Sequence, residues 1–352
     1  MGASSEDVSR NIRAKLDGLA DTALELQDLR WPQLRSTLSD DQYRNMVQDT
    51  KYHLQFLASS LWANEAALYD NYVLWVKVLF ENLALPAEWL SGSLADVRDA
   101  IAKDLGAESA ARAALLIDRA IAALETADTS IASYITPDQP LGSLAVRYLG
   151  AVLGGDRHGA SRSILDAVAA GTPVRDIYTH VFQPAQLELG RLWQLNRISV
   201  AQEHYATAVT QMVMSQLYGE IFTDAPKEHT LVAACVGSEL HELGLRMVTD
   251  FFEMDGWDTH YLGANMPASS IVTTAAERGA DVLALSATMS FRVEEVAEII
   301  RLLRDNDATK NVKVLVGGYP FNLAPELWKR VGADNFARSA PEALKAAAGL
   351  VA

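Results

Sequence analysis

Three short segments carry residues whose types could act together on one metal or cofactor. Glu239-Leu240-His241-Glu242-Leu243-Gly244 offers an imidazole with a carboxylate two positions before it. Ser286-Ala287-Thr288 offers hydroxyls, and Gly317-Gly318 offers consecutive positions without a Cβ. The His241 imidazole can bind a metal through one ring nitrogen. Glu239 can then accept a hydrogen bond from the other, which fixes the tautomer and raises ligand basicity. Ser286 could continue that relay. The glycines permit close approach of something bulky, since no Cβ intervenes. A lone histidine after a strand is more often an ordinary loop residue, so the weight rests on the three segments together. One imidazole without partner His or Cys ligands does not make a zinc site. A metal with one protein ligand must bring most of its coordination in a macrocycle.

Each segment follows a strand-like apolar run: LVAACV, DVLAL and VKVLV. From Thr230 onward such runs alternate with helical stretches, namely LRMVTDFFEMD, ASSIVTTAAERG, VEEVAEIIRLLRD and APELWKRV, with DTHYLGA and DNFARS as further strands. Alternation of this kind predicts a five-stranded parallel, doubly wound α/β sheet. Ligands of such sheets sit outside the carboxyl ends of the strands, where all three segments fall. Residues 141 to 222 read as four helices, broken at Gly154-Gly155, Gly171-Thr172-Pro173 and Asn196-Arg197. Residues 1 to about 135 read as a bundle of about five helices, with breaks at Trp31-Pro32, near Asn64-Glu65, at Pro86 and near Gly106. The last of these helices is predicted to run through to Ile135. The fold class is therefore α plus α/β. The expected domains are a helical bundle (1–136), a four-helix cap (141–224) and a Rossmann-like domain (228–352), with PDQP at 137–140 as a linker.

Composition narrows the partners. Net charge is −15 and no basic stripe is present, which argues against direct DNA binding. The N-terminus lacks an apolar signal region and no apolar run approaches a membrane span, so a cytoplasmic protein is expected. The single cysteine, Cys235, lies within LVAACVG and reads as a small core residue.

E-x-H-x-x-G, then S-x-T, then G-G on a five-stranded α/β fold resembles the cobalamin-binding domain of methionine synthase and its relatives. The usual motif begins with Asp, and Glu239 stands there in this chain. In that family the dimethylbenzimidazole tail leaves cobalt and inserts into the domain. The resemblance implies that His241 takes its place as lower cobalt ligand, with Glu239 and Ser286 as its relay and Gly317 and Gly318 lining the tail pocket. Gly244 and Thr288 complete the motif.

Upstream, Ser199 and Gln202 predict a capping box that starts a new helix. Trp193 then ends one helix, and Glu203 and His204 lie early in the next. A flat indole and a Glu–His pair suit an adenosyl group, with its base and ribose diol. A core Trp193 with a surface Glu203-His204 is the alternative. The W-x9-E-H spacing resembles the helical cap of CarH-like, light-sensing cobalamin proteins, which use adenosylcobalamin as chromophore. In those proteins a His follows the Trp directly, whereas this chain has Gln194. CarH-like proteins also carry a helix-turn-helix domain that this chain lacks. Its longer helical front resembles the photocobilins, cobalamin photoreceptors that also hold a bilin. That resemblance implies a non-covalent bilin such as biliverdin in a bundle rich in Tyr52, Phe56, Trp62, Tyr69, Tyr72, Trp75 and Phe80, with His53 as a polar contact. Aromatics and a histidine at this spacing also make ordinary core.

The resulting expectation is a binding protein rather than an enzyme: a light sensor whose Co–C bond photolysis alters domain or quaternary arrangement. It would be a homo-oligomer signalling to an unknown downstream protein. The alternatives are a corrinoid carrier protein of a methyltransferase system, whose small methyl group does not call for the Trp and Glu–His set, and a B12-responsive scaffold that ignores light.

Overall fold

A computed structural model describes residues 4–222 and 228–352. The expected boundary between cap and sheet, at 224 to 228, falls largely outside the described residues. Two compact units emerge. The first comprises the described residues up to Thr129 with Thr288–Glu294 and Tyr319–Val331, and the second comprises the remainder.

The first unit is helical, as the apolar spacing predicts. Ser39 and Gln42 form a reciprocal capping box that starts the long helix Asp40–Ala63, and Asn64 ends it in the left-handed region at φ 55°. The helix turns Leu54, Leu57 and Leu61 into a core shared with Leu19, Leu94, Val97, Ile101 and Ile117. Two expectations need correction. Seven helices are described between residues 4 and 129 rather than about five, because the first stretch divides at Lys15 into Ser5–Ala14 and Leu16–Arg30, and a single turn forms at Leu34–Thr37. The last helix, Ala107–Leu124, stops well before Ile135.

From Ser130 to Ala287 the chain belongs to the second unit. There the Glu188 carboxylate accepts from the Tyr134 backbone N–H at 2.9 Å. Its partner Arg191 donates to the Ile131 carbonyl at 3.2 Å. These bonds satisfy the backbone without a helix.

The second unit stacks helices on a sheet. Its five strands are β1 (Thr230–Cys235), β2 (Asp258–Gly263), β3 (Val282–Ser286), β4 (Lys313–Gly317) and β5 (Asn335–Phe336). All pairs are parallel, in the order β2-β1-β3-β4-β5. β3 is buried along its whole length and β1 at all but its first residue, which is why both are unbroken apolar runs rather than alternating ones. The edge strand β5 has only two residues, which leaves little unpaired backbone. The chain order reverses between β1 and β3, and that switch point opens a crevice at the carboxyl ends.

Four main helical segments precede the sheet, as expected. The third is irregular: a π-helical stretch, Tyr178–Phe182, interrupts Val174–Gln194. Tyr148, Phe182, Leu189, Val209 and Val213 pack with Leu243, Met247 and Phe251 of the helix that follows β1. Tyr178 Oη donates to Asp250 at 2.8 Å across the same contact. No helix among the described residues is long and apolar enough to cross a membrane.

Candidate functional site

The last residues of three neighbouring strands align. Cys235 of β1 pairs in register with Ser286 of β3, and Ser286 with Gly317 of β4. The sequence segments with chemistry therefore start from one line across the carboxyl edge of the sheet.

His241 sits on the loop after β1. Its Nδ1 donates to Glu239 Oε1 at 2.6 Å, and its backbone N–H donates to the same oxygen at 3.1 Å. The Glu239 side chain is 1% exposed and the imidazole 61% exposed. The carboxylate is thus a buried anchor, and the ring stands out from it with Nε2 directed away. The hydrogen bond to Glu239 raises the His241 pKa above the ordinary value; burial opposes this, and the charges of Glu239 and Glu203 add to the rise. Glu203 of the cap therefore lies within electrostatic reach of His241.

The remaining residues have distinct settings. Ser286 is buried at the end of β3, and its carbonyl accepts from the Val236 backbone N–H at 3.2 Å. Gly317 has room for a Cβ at ordinary contact distance from the Ala337 carbonyl. Gly318 does not: its φ is +107°, and a Cβ would lie 2.0 Å from the Ala287 carbonyl oxygen. Glycine at 318 is demanded by the chain's own packing. Gly244 lies in the first turn of Leu243–Met254 with open space around it. Thr288 opens the Thr288–Glu294 segment and belongs with the first unit.

In the cap, the predicted capping box at Ser199 and Gln202 is present and starts the helix Val200–Gln216. Trp193 is half-buried in the last turn of Gln183–Gln194, and Gln194 is buried. His204 Nδ1 bonds Glu203 Oε2 at 2.7 Å, and Thr207 donates to Glu203 Oε1 at 3.1 Å. The His204 side chain is mostly exposed.

His53 belongs to the first unit and is a different kind of histidine. It is buried, shares a 2.8 Å hydrogen bond with Tyr72 Oη through Nδ1, and has its pKa pushed down by burial to about 4. It is neutral near pH 7, so it offers no charge to a propionate. Tyr72 stacks on Phe56 with ring centroids 3.9 Å apart. Tyr69 Oη and Gln55 Oε1 nearby are buried side-chain atoms with no hydrogen-bond partner.

Sequence reasoning missed Glu242. Its Oε1 accepts from Gln211 Nε2 at 3.0 Å, and its Oε2 accepts from the Ala264 backbone N–H at 2.9 Å and Tyr261 Oη at 3.1 Å. The only signal was its place directly after His241. Cys235 is buried, with its thiol pushed up to about 12 by burial, as suits a core residue.

Among the described residues, no group of three or more His, Cys, Asp or Glu could hold a metal ion. The arrangement fits a metal that arrives with its other ligands in place and needs one oriented imidazole. That is the chemistry of a corrinoid, and the fold with this loop defines a B12-binding protein.

The comparisons with known proteins agree. Models of the B12 binding domain match residues 144–218 and 229–348, and a phycobilisome protein model matches residues 10–124. Dimethylamine corrinoid protein 3 of Methanosarcina mazei is 31% identical over 36% of this chain and 74% of its own length. Dimethylamine corrinoid protein 1 of Methanosarcina acetivorans is 32% identical over 36% of this chain, which spans 58% of that relative. The structure of the monomethylamine corrinoid protein of Methanosarcina barkeri shares the fold, with a TM-score of 0.54 and 22% identity over 60% of this chain and 99% of that one. The chain belongs to the family of B12-binding corrinoid proteins.

These relatives overturn the light-sensor expectation, which rested on W-x9-E-H. They are named corrinoid proteins, and all three carry the name of a methylamine, which matches the carrier alternative. The physical reason is visible in the cap. Glu203 and His204 bond each other, and Thr207 bonds Glu203, so that polar set is satisfied without an adenosyl group.

Proposed function

We propose that this chain is the corrinoid carrier of a methyltransferase system, a binding protein that presents cobalt to partner enzymes. The observation that carries the reading is the exposed His241 imidazole held by the buried Glu239 carboxylate. The corrinoid, when bound, supplies a cobalt that accepts a methyl group and hands it on. The chain's own residues orient and shield it. His241 would hold the cobalt through Nε2, Glu239 would fix its tautomer, and Ser286 and Gly317 would border the space for the corrinoid's nucleotide tail. Residues 141–224 act as the cap and 228–352 as the cobalamin domain. The test mixes reduced holoprotein with a corrinoid-methylating methyltransferase and its methylamine. Methylation faster than that of free cobalamin at equal concentration supports a carrier. Equal rates would reduce the chain to a cobalamin binder.

Two finer readings concern the bound groups. Adenosylcobalamin is a proposed bound form, supported by the half-buried Trp193 at the helix end. Trp193→Ala should then weaken adenosylcobalamin more than hydroxocobalamin, and equal losses would remove the adenosyl form. Biliverdin is a proposed ligand of the first unit, supported by the phycobilisome protein match and the unpartnered Tyr69 Oη and Gln55 Oε1. Saturating biliverdin that produces no red-shifted, acid-releasable band would refute it.

A further inference from the structure

Glu242 occupies the residue before the helix Leu243–Met254, where a carboxylate would ordinarily cap the first turn, yet its side chain makes no capping bond. It reaches instead to three other elements. Gln211 of the cap helix Val200–Gln216 donates to one oxygen at 3.0 Å. Tyr261 of β2 and the Ala264 backbone donate to the other at 3.1 and 2.9 Å. Gly263, at φ +80°, lies so close that a Cβ there would be 3.1 Å from that oxygen. The loop after β2 is thus shaped around this carboxylate. The same loop holds the His241 loop again through Asn265, which accepts from the Ser238 backbone N–H at 2.8 Å and donates its own backbone N–H to the Glu239 carbonyl at 3.0 Å.

The cap end of this connection is informative. Glu203, Thr207 and Gln211 recur every fourth residue and so share one helix face. One face of one helix carries Glu203, whose charge reaches His241, and Gln211, which binds the neighbour of His241. That helix face is thus joined to the imidazole loop by a hydrogen bond.

We propose that Glu242 is a positioning residue. Through Gln211 it fastens the His241 loop to the cap helix, so that movement of the cap alters how firmly His241 holds cobalt. The proposal rests on the reading of His241 as lower ligand. It requires no group beyond those present, and the corrinoid enters only as the object whose ligation is read out.

The test uses the full chain reconstituted with hydroxocobalamin and reduced to the paramagnetic cobalt state. Two quantities are measured on protein whose histidine carries the heavy, spin-one-half nitrogen isotope: the doublet splitting from the labelled ring in the electron paramagnetic resonance spectrum, and the dissociation constant. Gln211→Glu sets a carboxylate against Glu242. It should diminish the histidine-derived splitting and weaken binding on the order of tenfold, the low end of the range for groups that orient a metal ligand. Gln211→Ala removes the cap arm alone and should act in the same direction by about threefold. The exchange Gln211→Glu with Glu242→Gln rebuilds the bond with donor and acceptor reversed, and should restore both readouts. An unchanged spectrum and affinity in Gln211→Glu, or a double variant no better than the single one, overturns the proposal. His241→Ala run in parallel separates the two levels. If it keeps the histidine splitting, the ligand reading falls and the proposal with it. If it loses the splitting while the Gln211 variants behave as wild type, only the proposal falls.

Discussion

His53 and His241 show how one residue type is put to opposite uses in the two units. Each contacts a neighbour through Nδ1. In the first unit that neighbour is a hydroxyl, from Tyr72, inside a stacked aromatic core, and the pKa falls to about 4. In the second it is a buried carboxylate, from Glu239, at the open edge of a sheet, and the pKa rises. Burial disfavours the charged ring at His53. At His241 a charged acceptor outweighs it. The lesson is that a ligand site needs its polar support buried and its working nitrogen exposed. Helical cores such as the first unit bury both.

The glycine pair at the edge of the sheet gives the largest effect by which to probe the open site. Gly318→Ala forces a side chain into positive φ and against the Ala287 carbonyl. It should cost about 2–5 kcal/mol, and chemical denaturation of the second unit measures this. Gly317→Ala meets nothing closer than 3.4 Å and should be mild, so equal costs would contradict the packing argument.

The closed histidine is probed by pH. Its folded pKa, about 4, lies below the ordinary 6.5. Its contribution is therefore fully present above pH 6.5 and is lost as pH falls toward 4, because the unfolded chain binds the proton first. At about 1.4 kcal/mol per pH unit the loss amounts to about 3 kcal/mol. Asp250 in the second unit, pushed up to about 6 by burial, works in the opposite direction and gains stability as pH falls. The difference between wild type and His53→Gln across that range isolates the histidine. Parallel pH curves would mean that His53 is solvated and protonated in the fold.

Removing the support of the open histidine should come next in size. Glu239→Ala leaves His241 without its tautomer anchor and should weaken cobalamin binding by about 10–100-fold, read by absorbance titration. Wild-type affinity would place Glu239 outside the site. The cap contributes least. Ser199→Ala removes the capping box of Val200–Gln216 and should cost about 1 kcal/mol in thermal unfolding. A larger loss would mean that Ser199 bonds beyond its own helix.

The sequence made the sheet legible because buried parallel strands are short apolar runs and the helices between them keep their own period. It placed Glu239, His241 and Ser286 at one edge of that sheet because strand ends in such sheets converge. Other features depend on contacts that local pattern does not encode. The π-helical turn at Tyr178–Phe182 shifts a hydrogen bond without disturbing the apolar spacing. The backbone at Ile131 and Tyr134 bonds Arg191 and Glu188, more than fifty residues away. Glu242 became visible only once Gln211, Tyr261 and Ala264 were seen around it. The spacing of Trp193, Glu203 and His204 was legible, but the same spacing serves a satisfied polar cluster as well as a sensor's pocket.

The central claim is that His241 itself binds cobalt. Protein carrying histidine labelled with the heavy, spin-one-half nitrogen isotope, loaded with unlabelled cobalamin and reduced to the paramagnetic state, tests it most directly. Ligation by His241 predicts that each cobalt resonance line splits into a doublet from the labelled ring, and that His241→Ala loses it. A triplet that persists in the labelled protein would mean that the corrinoid's own base still ligates cobalt, and would contradict the account.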